Sequence, residues 1–240
     1  LKSHFPVVNV LGVSFINTTN AKFIHQLTQD IDERKNTFVV TANPEIVMYA
    51  DSHPDYAATI KDADYVTPDG IGIIKGTQML NQPLQERITG YDTFLSLLKW
   101  GNDQHKSAYF LGAKPKVILD LKKVLTKTYP NLVIAGIHDG YFDNEAPIIN
   151  DIKESQPDLV FVALGFPKQE NLIAKYRHVN NGLWIGIGGS FDVLSGHVIR
   201  APKFWQDHHL EWLYRGLTDP KRAKRLLSLP KYLLKVKKSK

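Results

Sequence analysis

The sequence predicts an α/β fold, a parallel sheet with helices on both faces followed by a helical appendage at the C-terminus. Three observations predict it. Short apolar runs alternate along most of the chain with stretches whose apolar residues recur at helical spacing, the pattern of strand–helix–strand units. Residues 158–164 (DLVFVAL) are apolar from Leu159 onward, as a strand covered on both faces must be. Run after run ends in small or polar residues, and in a parallel sheet those ends converge on one rim, where ligands bind. A Rossmann-like core is therefore assigned to residues 1–196 and the appendage to residues 197–240.

Taken in order, residues 5–15 are β-rich, and residues 20–34 carry Phe23, Ile24, Leu27 and Ile31 at helical spacing. Residues 37–41 form a short buried strand. Asn43-Pro44-Glu45 then opens a helix, with Asn as cap and Pro at the first helical position, so Thr41 and Asn43 stand at a strand-to-helix junction. A short helix around residues 56–60 leads to the stretch ADYVTPDGIGIIKG, where Tyr65 and Val66 are strand, Thr67-Pro68-Asp69-Gly70 is a sharp turn, and Ile71 starts a helix. Residues 85–92 are polar and open a helix through Phe94, Leu97 and Trp100, with Arg87 placed to face a pocket. Strands follow at residues 107–112, 132–137, 158–164 and 183–187, with a helix over 115–129 and another after Gly165-Phe166-Pro167-Lys168-Gln169-Glu170.

Asp69 is the foremost candidate for chemistry, because Pro fixes φ on one side, Gly permits positive φ on the other, and the acid between them sits at the carboxyl end of a strand. Pro-Asp-Gly is also a favoured turn whatever the function. Gly186-Ile187-Gly188-Gly189-Ser190 lets backbone amides, those of Gly188 and Gly189 among them, come close to a phosphate. Gly70, Gly72 and Gly76 miss the dinucleotide fingerprint by one position, and no Walker-type Gly-Lys-Ser/Thr exists. Asp62-Ala63-Asp64 has the Asp-x-Asp form of cation-holding loops but lies before its strand, away from the rim, so no metal site is assigned. No Gly-x-Ser-x-Gly elbow is present, and the absence of cysteine excludes a thiol nucleophile, disulfides and thiolate metal sites, and fits a reducing cytoplasm.

With 43% hydrophobic residues in 240, the chain can bury a sizeable core, and no apolar run reaches the ~18 residues of a membrane span. Its net charge of +6 is uneven: residues 200–240 hold 12 Lys or Arg against three acids, leaving residues 1–199 net negative. Basic residues interleaved with Phe204, Trp205, Trp212, Tyr214, Leu226, Tyr232 and Leu233 suit amphipathic helices at a bilayer interface, or a helical pair packed on its own core with a solvated basic face. Thr218-Asp219-Pro220 caps a new helix, so Arg215 ends one helix and Arg222 and Arg225 lie near the start of the next. No nucleic-acid motif is present, and the sequence leaves oligomeric state open, a homo-oligomer included.

The segments TANPEIV from Thr41, ADYVTPDGIGI from Ala63, RITGYD from Arg87, YFLGAKP from Tyr109, VALGFPKQE from Val162 and GIGGSFDVLSGHVIRAPKFWQDHHLEWLYRGLTDPKR from Gly186 run in order over nearly the whole chain. They resemble the WecG/TagA/CpsF family of bacterial glycosyltransferases. The resemblance implies inverting transfer of N-acetylmannosamine, without a metal or other cofactor, from a UDP-sugar donor to the 4-hydroxyl of N-acetylglucosamine on undecaprenyl diphosphate, in wall teichoic acid synthesis. By matching motif, Asp69 would be the general base, Thr41, Asn43, Arg87 and Gln169 would position substrates or offset charge, and Arg215, Arg222 and Arg225 of a membrane-docking appendage would meet the lipid diphosphate. The resemblance further implies a peripheral protein on the cytoplasmic face of the bacterial plasma membrane. A nucleotide-binding protein without catalysis, anchored by its basic tail, is the alternative, and an NAD-dependent oxidoreductase a weaker one.

Overall fold

The computed structural model describes residues 4–199, 201–207, 213, 214, 217 and 228–239. The β-rich start of the chain stands apart from the main sheet: β1 (Val7–Val10) and β2 (Val13–Ile16) pair antiparallel with each other. Leu11 and Gly12 between them take φ of 50° and 87°, the left-handed values of a two-residue hairpin turn that matches strand twist.

The remaining elements follow as α1 (Asn20–Asp32), β3 (Thr37–Ala42), α2 (Pro44–Ser52), α3 (Pro54–Lys61), β4 (Tyr65–Pro68), α4 (Ile71–Met79), α5 (Gly90–Asp103), β5 (Ser107–Gly112), α6 (Pro115–Thr128), β6 (Val133–His138), α7 (Ala146–Ser155), β7 (Leu159–Ala163), α8 (Lys168–Tyr176), β8 (Leu183–Gly186), α9 (Ser190–Leu194), α10 (Lys203–Asp207) and α11 (Ser228–Lys238). The six strands from β3 to β8 make one parallel sheet in the order β4-β3-β8-β7-β5-β6. β3, β7 and β8 are buried at every position, the burial their unbroken apolar runs require. The sequence reading assigns no element to residues 143–157, where α7 packs Ile148, Ile149 and Ile152 on the sheet.

Two apolar layers flank the sheet. One holds the inner faces of α2, α3, α4, α7 and α8, and the other those of α1, α5, α6 and α9. The helices that follow neighbouring strands β3 and β8 therefore leave to opposite faces, which opens a crevice at the carboxyl ends of these two strands. At the opposite end of the sheet, Asp64 accepts from the Phe38 amide at 2.9 Å and from Arg177 Nη1 at 2.7 Å. That acid of the Asp-x-Asp sequence thus staples β3 and β4 to the turn after α8.

α11, within the segment 197–240, lies on α4 and α2, with Tyr232 and Val236 fully buried in the first layer. Gly76 of α4 makes this approach possible, since a Cβ there would stand 2.4 Å from Tyr232 Oη. The Thr218-Asp219-Pro220 cap lies outside the described residues. No helix among the described residues is long and apolar enough to cross a membrane.

Candidate active site

The crevice is built from four strand ends and one loop. β4 ends at Pro68, and the Asp69 amide donates to the Ala42 carbonyl at 2.9 Å, which extends the β3–β4 pairing by one residue and fixes the half-buried Asp69 beside the end of β3. Gly70 follows with φ of 107°, a value that releases the chain into α4 without a side chain in the way. The loop before α5 folds back on the same point, as the Ile88 amide donates to the Pro68 carbonyl at 3.1 Å. Arg87 is thereby carried to the rim, half-buried, and its guanidinium makes no hydrogen bond or ion pair among the described residues.

Thr89 caps α5 through its side chain, and the Gly90 amide, the first in that helix, donates to Asp69 Oδ2 at 3.3 Å. A carboxylate at this position meets the positive end of a helix of 14 residues. Gly90 is not among the site residues that the sequence singles out. A Cβ there would come within 2.9 Å of Thr41 Oγ1, so a glycine is what lets α5 reach both Asp69 and β3. The sequence signal was the Thr-Gly pair at the end of a polar stretch, a capping threonine followed by a residue with no side chain.

Thr41, buried at the end of β3, donates through Oγ1 to the Gly186 carbonyl of β8 at 3.0 Å and so bridges the two strands whose helices diverge. Asn43 Oδ1 caps α2, accepting from the Glu45 amide at 2.9 Å and the Ile46 amide at 3.1 Å, while its Nδ2 has no partner among the described residues. Gln169, buried in the first turn of α8, lies across Gly186, where a Cβ would be 2.7 Å from its Nε2. Its Oε1 accepts from the Gly188 amide at 3.1 Å, and its Nε2 donates to Glu170 Oε1 at 2.7 Å. Gly188 thus spends its amide inside the protein, at φ of 52°, and leaves Gly189 as the exposed residue of that loop.

The structure brings Thr41, Asn43, Asp69, Arg87, Gln169, Gly188 and Gly189 to one rim. Arg215, Arg222 and Arg225 lie outside the described residues. Among the described residues no cluster of three or more His, Asp or Glu could hold a metal ion. Asp69 supplies a fixed carboxylate, Arg87 a cation with no partner among the described residues, and Thr41, Gly90 and Gln169 a buried framework between them, an arrangement able to move a proton beside an anionic group.

Such a rim, at the carboxyl ends of an open parallel sheet, is where α/β enzymes of this architecture bind their ligands. The sequence profile described as "Glycosyl transferase WecG/TagA/CpsF family" matches residues 8–240, and the chain belongs to that family. A Bacillus spizizenii protein is 44% identical over 228 residues, 94% of this chain and 89% of the relative. A Bacillus subtilis protein is 41% identical over 95% of this chain and 90% of its own length, and a Staphylococcus aureus protein 37% identical over 100% and 95%. All three bear the name N-acetylglucosaminyldiphosphoundecaprenol N-acetyl-beta-D-mannosaminyltransferase.

Proposed function

We propose that this chain transfers N-acetylmannosamine from UDP to the 4-hydroxyl of N-acetylglucosamine carried on undecaprenyl diphosphate, with inversion and Asp69 as general base. The observation that carries the reading is the Asp69 carboxylate, fixed by the Gly90 amide at the head of the crevice and beside the loop that carries Arg87, in a family of glycosyltransferases. In a single displacement the acceptor O4 attacks C1 of the donor sugar, the C1–oxygen bond to UDP breaks, and the O4 proton passes to Asp69. A positioned base contributes about 10²- to 10⁴-fold to such a step. Negative charge grows on the departing diphosphate, and the Arg87 guanidinium offsets it without a metal ion. The names of the relatives support the acceptor and the sugar.

The acceptor is a lipid, so the enzyme works at a membrane surface, on the cytoplasmic side where UDP-sugars are found. α11 supports this with Lys231, Leu234, Lys237 and Lys238 all exposed, basic heads beside an apolar side chain. Arg215, Arg222 and Arg225 approach the lipid diphosphate from the same basic tail, as bidentate partners. The test is UDP release from UDP-N-acetylmannosamine by purified protein, with and without a lipid-diphosphate N-acetylglucosamine acceptor and with and without EDTA. Acceptor-dependent, EDTA-resistant turnover is expected. Turnover with another UDP-sugar alone would change the donor, and silence with every donor would refute the transferase reading in favour of a nucleotide-binding protein.

A further inference from the structure

Glu170 is the one acid of the α8 first turn that the proposed mechanism does not use, and it is fully buried. Its Oε1 accepts from Gln169 Nε2 at 2.7 Å. That bond decides which way the Gln169 amide points. With Nε2 turned to Glu170, Oε1 is left facing the Gly188 amide, 3.1 Å away, and the flat of the side chain covers Gly186, whose carbonyl holds Thr41 Oγ1. Reversing the amide would set an NH2 group against the Gly188 N–H and lose that bond. On its other side Glu170 comes near the Tyr56 hydroxyl of α3, and neither Glu170 Oε2 nor that hydroxyl has a hydrogen-bond partner among the described residues.

We propose that Glu170 is a positioning residue for the transferase site: a neutral carboxylic acid that locks the Gln169 amide, and through it the Gly188 loop and the Gly186–Thr41 bridge. This rests on the reading of that rim as the transferase site. The acid has no cation beside it in the contacts above, and a lone buried carboxylate is far more costly than a neutral acid. Burial correspondingly pushes the Glu170 carboxyl up from its ordinary range, against the hydrogen bond from Gln169, its own backbone and the nearby Tyr56 hydroxyl. A neutral acid does here what a glutamine could do, offering one oxygen to Gln169 and carrying a hydrogen on the group that faces the Tyr56 side.

The test compares Glu170→Gln, Glu170→Asp and Glu170→Leu in the full chain, reading UDP release and, separately, hydrogen exchange at the Gly188 amide. Glu170→Leu keeps the volume and removes the acceptor; kcat should fall about 10- to 100-fold with the donor KM within about threefold of the parent, the sign of lost alignment rather than lost binding. Glu170→Asp withdraws the oxygen from Gln169 and should behave alike, which keeps the test alive if the leucine variant fails to fold. Glu170→Gln should restore turnover to within about threefold, and Glu170→Leu combined with Gln169→Leu should lose little more than Gln169→Leu alone, because the two act through one contact. The Gly188 amide should exchange at least about tenfold faster in Glu170→Leu and at the parent rate in Glu170→Gln. This readout needs no turnover, so it separates failure of the positioning role from failure of the transferase reading. Full activity and unchanged Gly188 exchange in Glu170→Leu would overturn the proposal. A Glu170→Gln variant as impaired as Glu170→Leu would overturn it too, since Glu170 would then act through its charge or its proton.

Discussion

The contact between Gly76 and Tyr232 decides whether α11 docks on α4, and it can be weighed from the structure. A methyl group added at Gly76 would stand 2.4 Å from Tyr232 Oη, 3.0 Å from Cζ and 3.1 Å from Cε1, all on a ring with no exposed surface. Gly76→Ala must therefore push the helix outward, at the roughly 1–3 kcal/mol typical of overpacking in a closed core. For a chain of 240 residues that lowers Tm by about 2–12 °C, unless α11 detaches locally and the rest of the fold is spared. The Tyr232 hydroxyl is itself buried without a hydrogen-bond partner among the described residues, so Tyr232→Phe removes an unsatisfied group and should hold or raise stability by up to about 1 kcal/mol. Because the hydroxyl is the nearest atom to the added methyl, the cost of Gly76→Ala should shrink in the Tyr232→Phe background by about 1 kcal/mol or more. Urea denaturation of the four proteins gives the coupling, and hydrogen exchange along α11 shows whether the loss is global or confined to the helix. A Gly76→Ala protein of unchanged stability, or a cost that is the same in both backgrounds, would refute the packing argument.

Four further predictions follow from the site and its supports. Asp69→Asn should lower kcat by about 10²- to 10⁴-fold while calorimetric binding of UDP and the melting curve stay close to the parent. Asp64→Ala leaves the 9%-exposed Arg177 side chain with only the longer 3.6 Å contact to Asp62 in place of its 2.7 Å partner and should cost up to about 3 kcal/mol in urea denaturation, with no cation requirement for activity changed. The raised Glu170 carboxyl makes the folded protein bind more protons than the unfolded chain above about pH 4.3, so stability falls as pH rises through that window; melting measured across pH should show Glu170→Gln gaining on the parent as pH rises. Replacing the exposed Lys231, Lys237 and Lys238 by Glu should weaken co-sedimentation with anionic vesicles at least about 100-fold, at roughly 1 kcal/mol for each lysine near the surface, and leave binding to neutral vesicles unchanged.

Local chemistry written in single residues was legible in the sequence. The apolar run at β7 and the Asn43-Pro44 start of α2 follow from periodicity and from a residue's own conformational limits, and strand and cap stand where those put them, whereas the turn expected from Thr67 onward begins only after Pro68, because Thr67 and Pro68 stay paired with β3 as the end of β4. The placing of Thr41, Asn43, Asp69 and Gln169 at one rim was legible as well, because parallel strands deliver their carboxyl ends to the same side. What single residues could not reveal were the pairings across the chain. Gly90 reads as an ordinary helix-start glycine until Thr41 is found against it, and Glu170 as a solvated acid until Tyr56 and Gln169 close around it. In the same way the basic tail read equally as a bilayer surface or as a self-contained helical pair, while the fold gives α11 a third neighbour, the glycine face of α4. Sequence thus determined which residue types stand at each strand end, through conformational preferences that act within a few positions. Tertiary structure alone decided which of those ends touch, because strand order, and with it the contact of β3 with β8 across more than 140 residues, is set by the packing of two apolar layers and by no local signal.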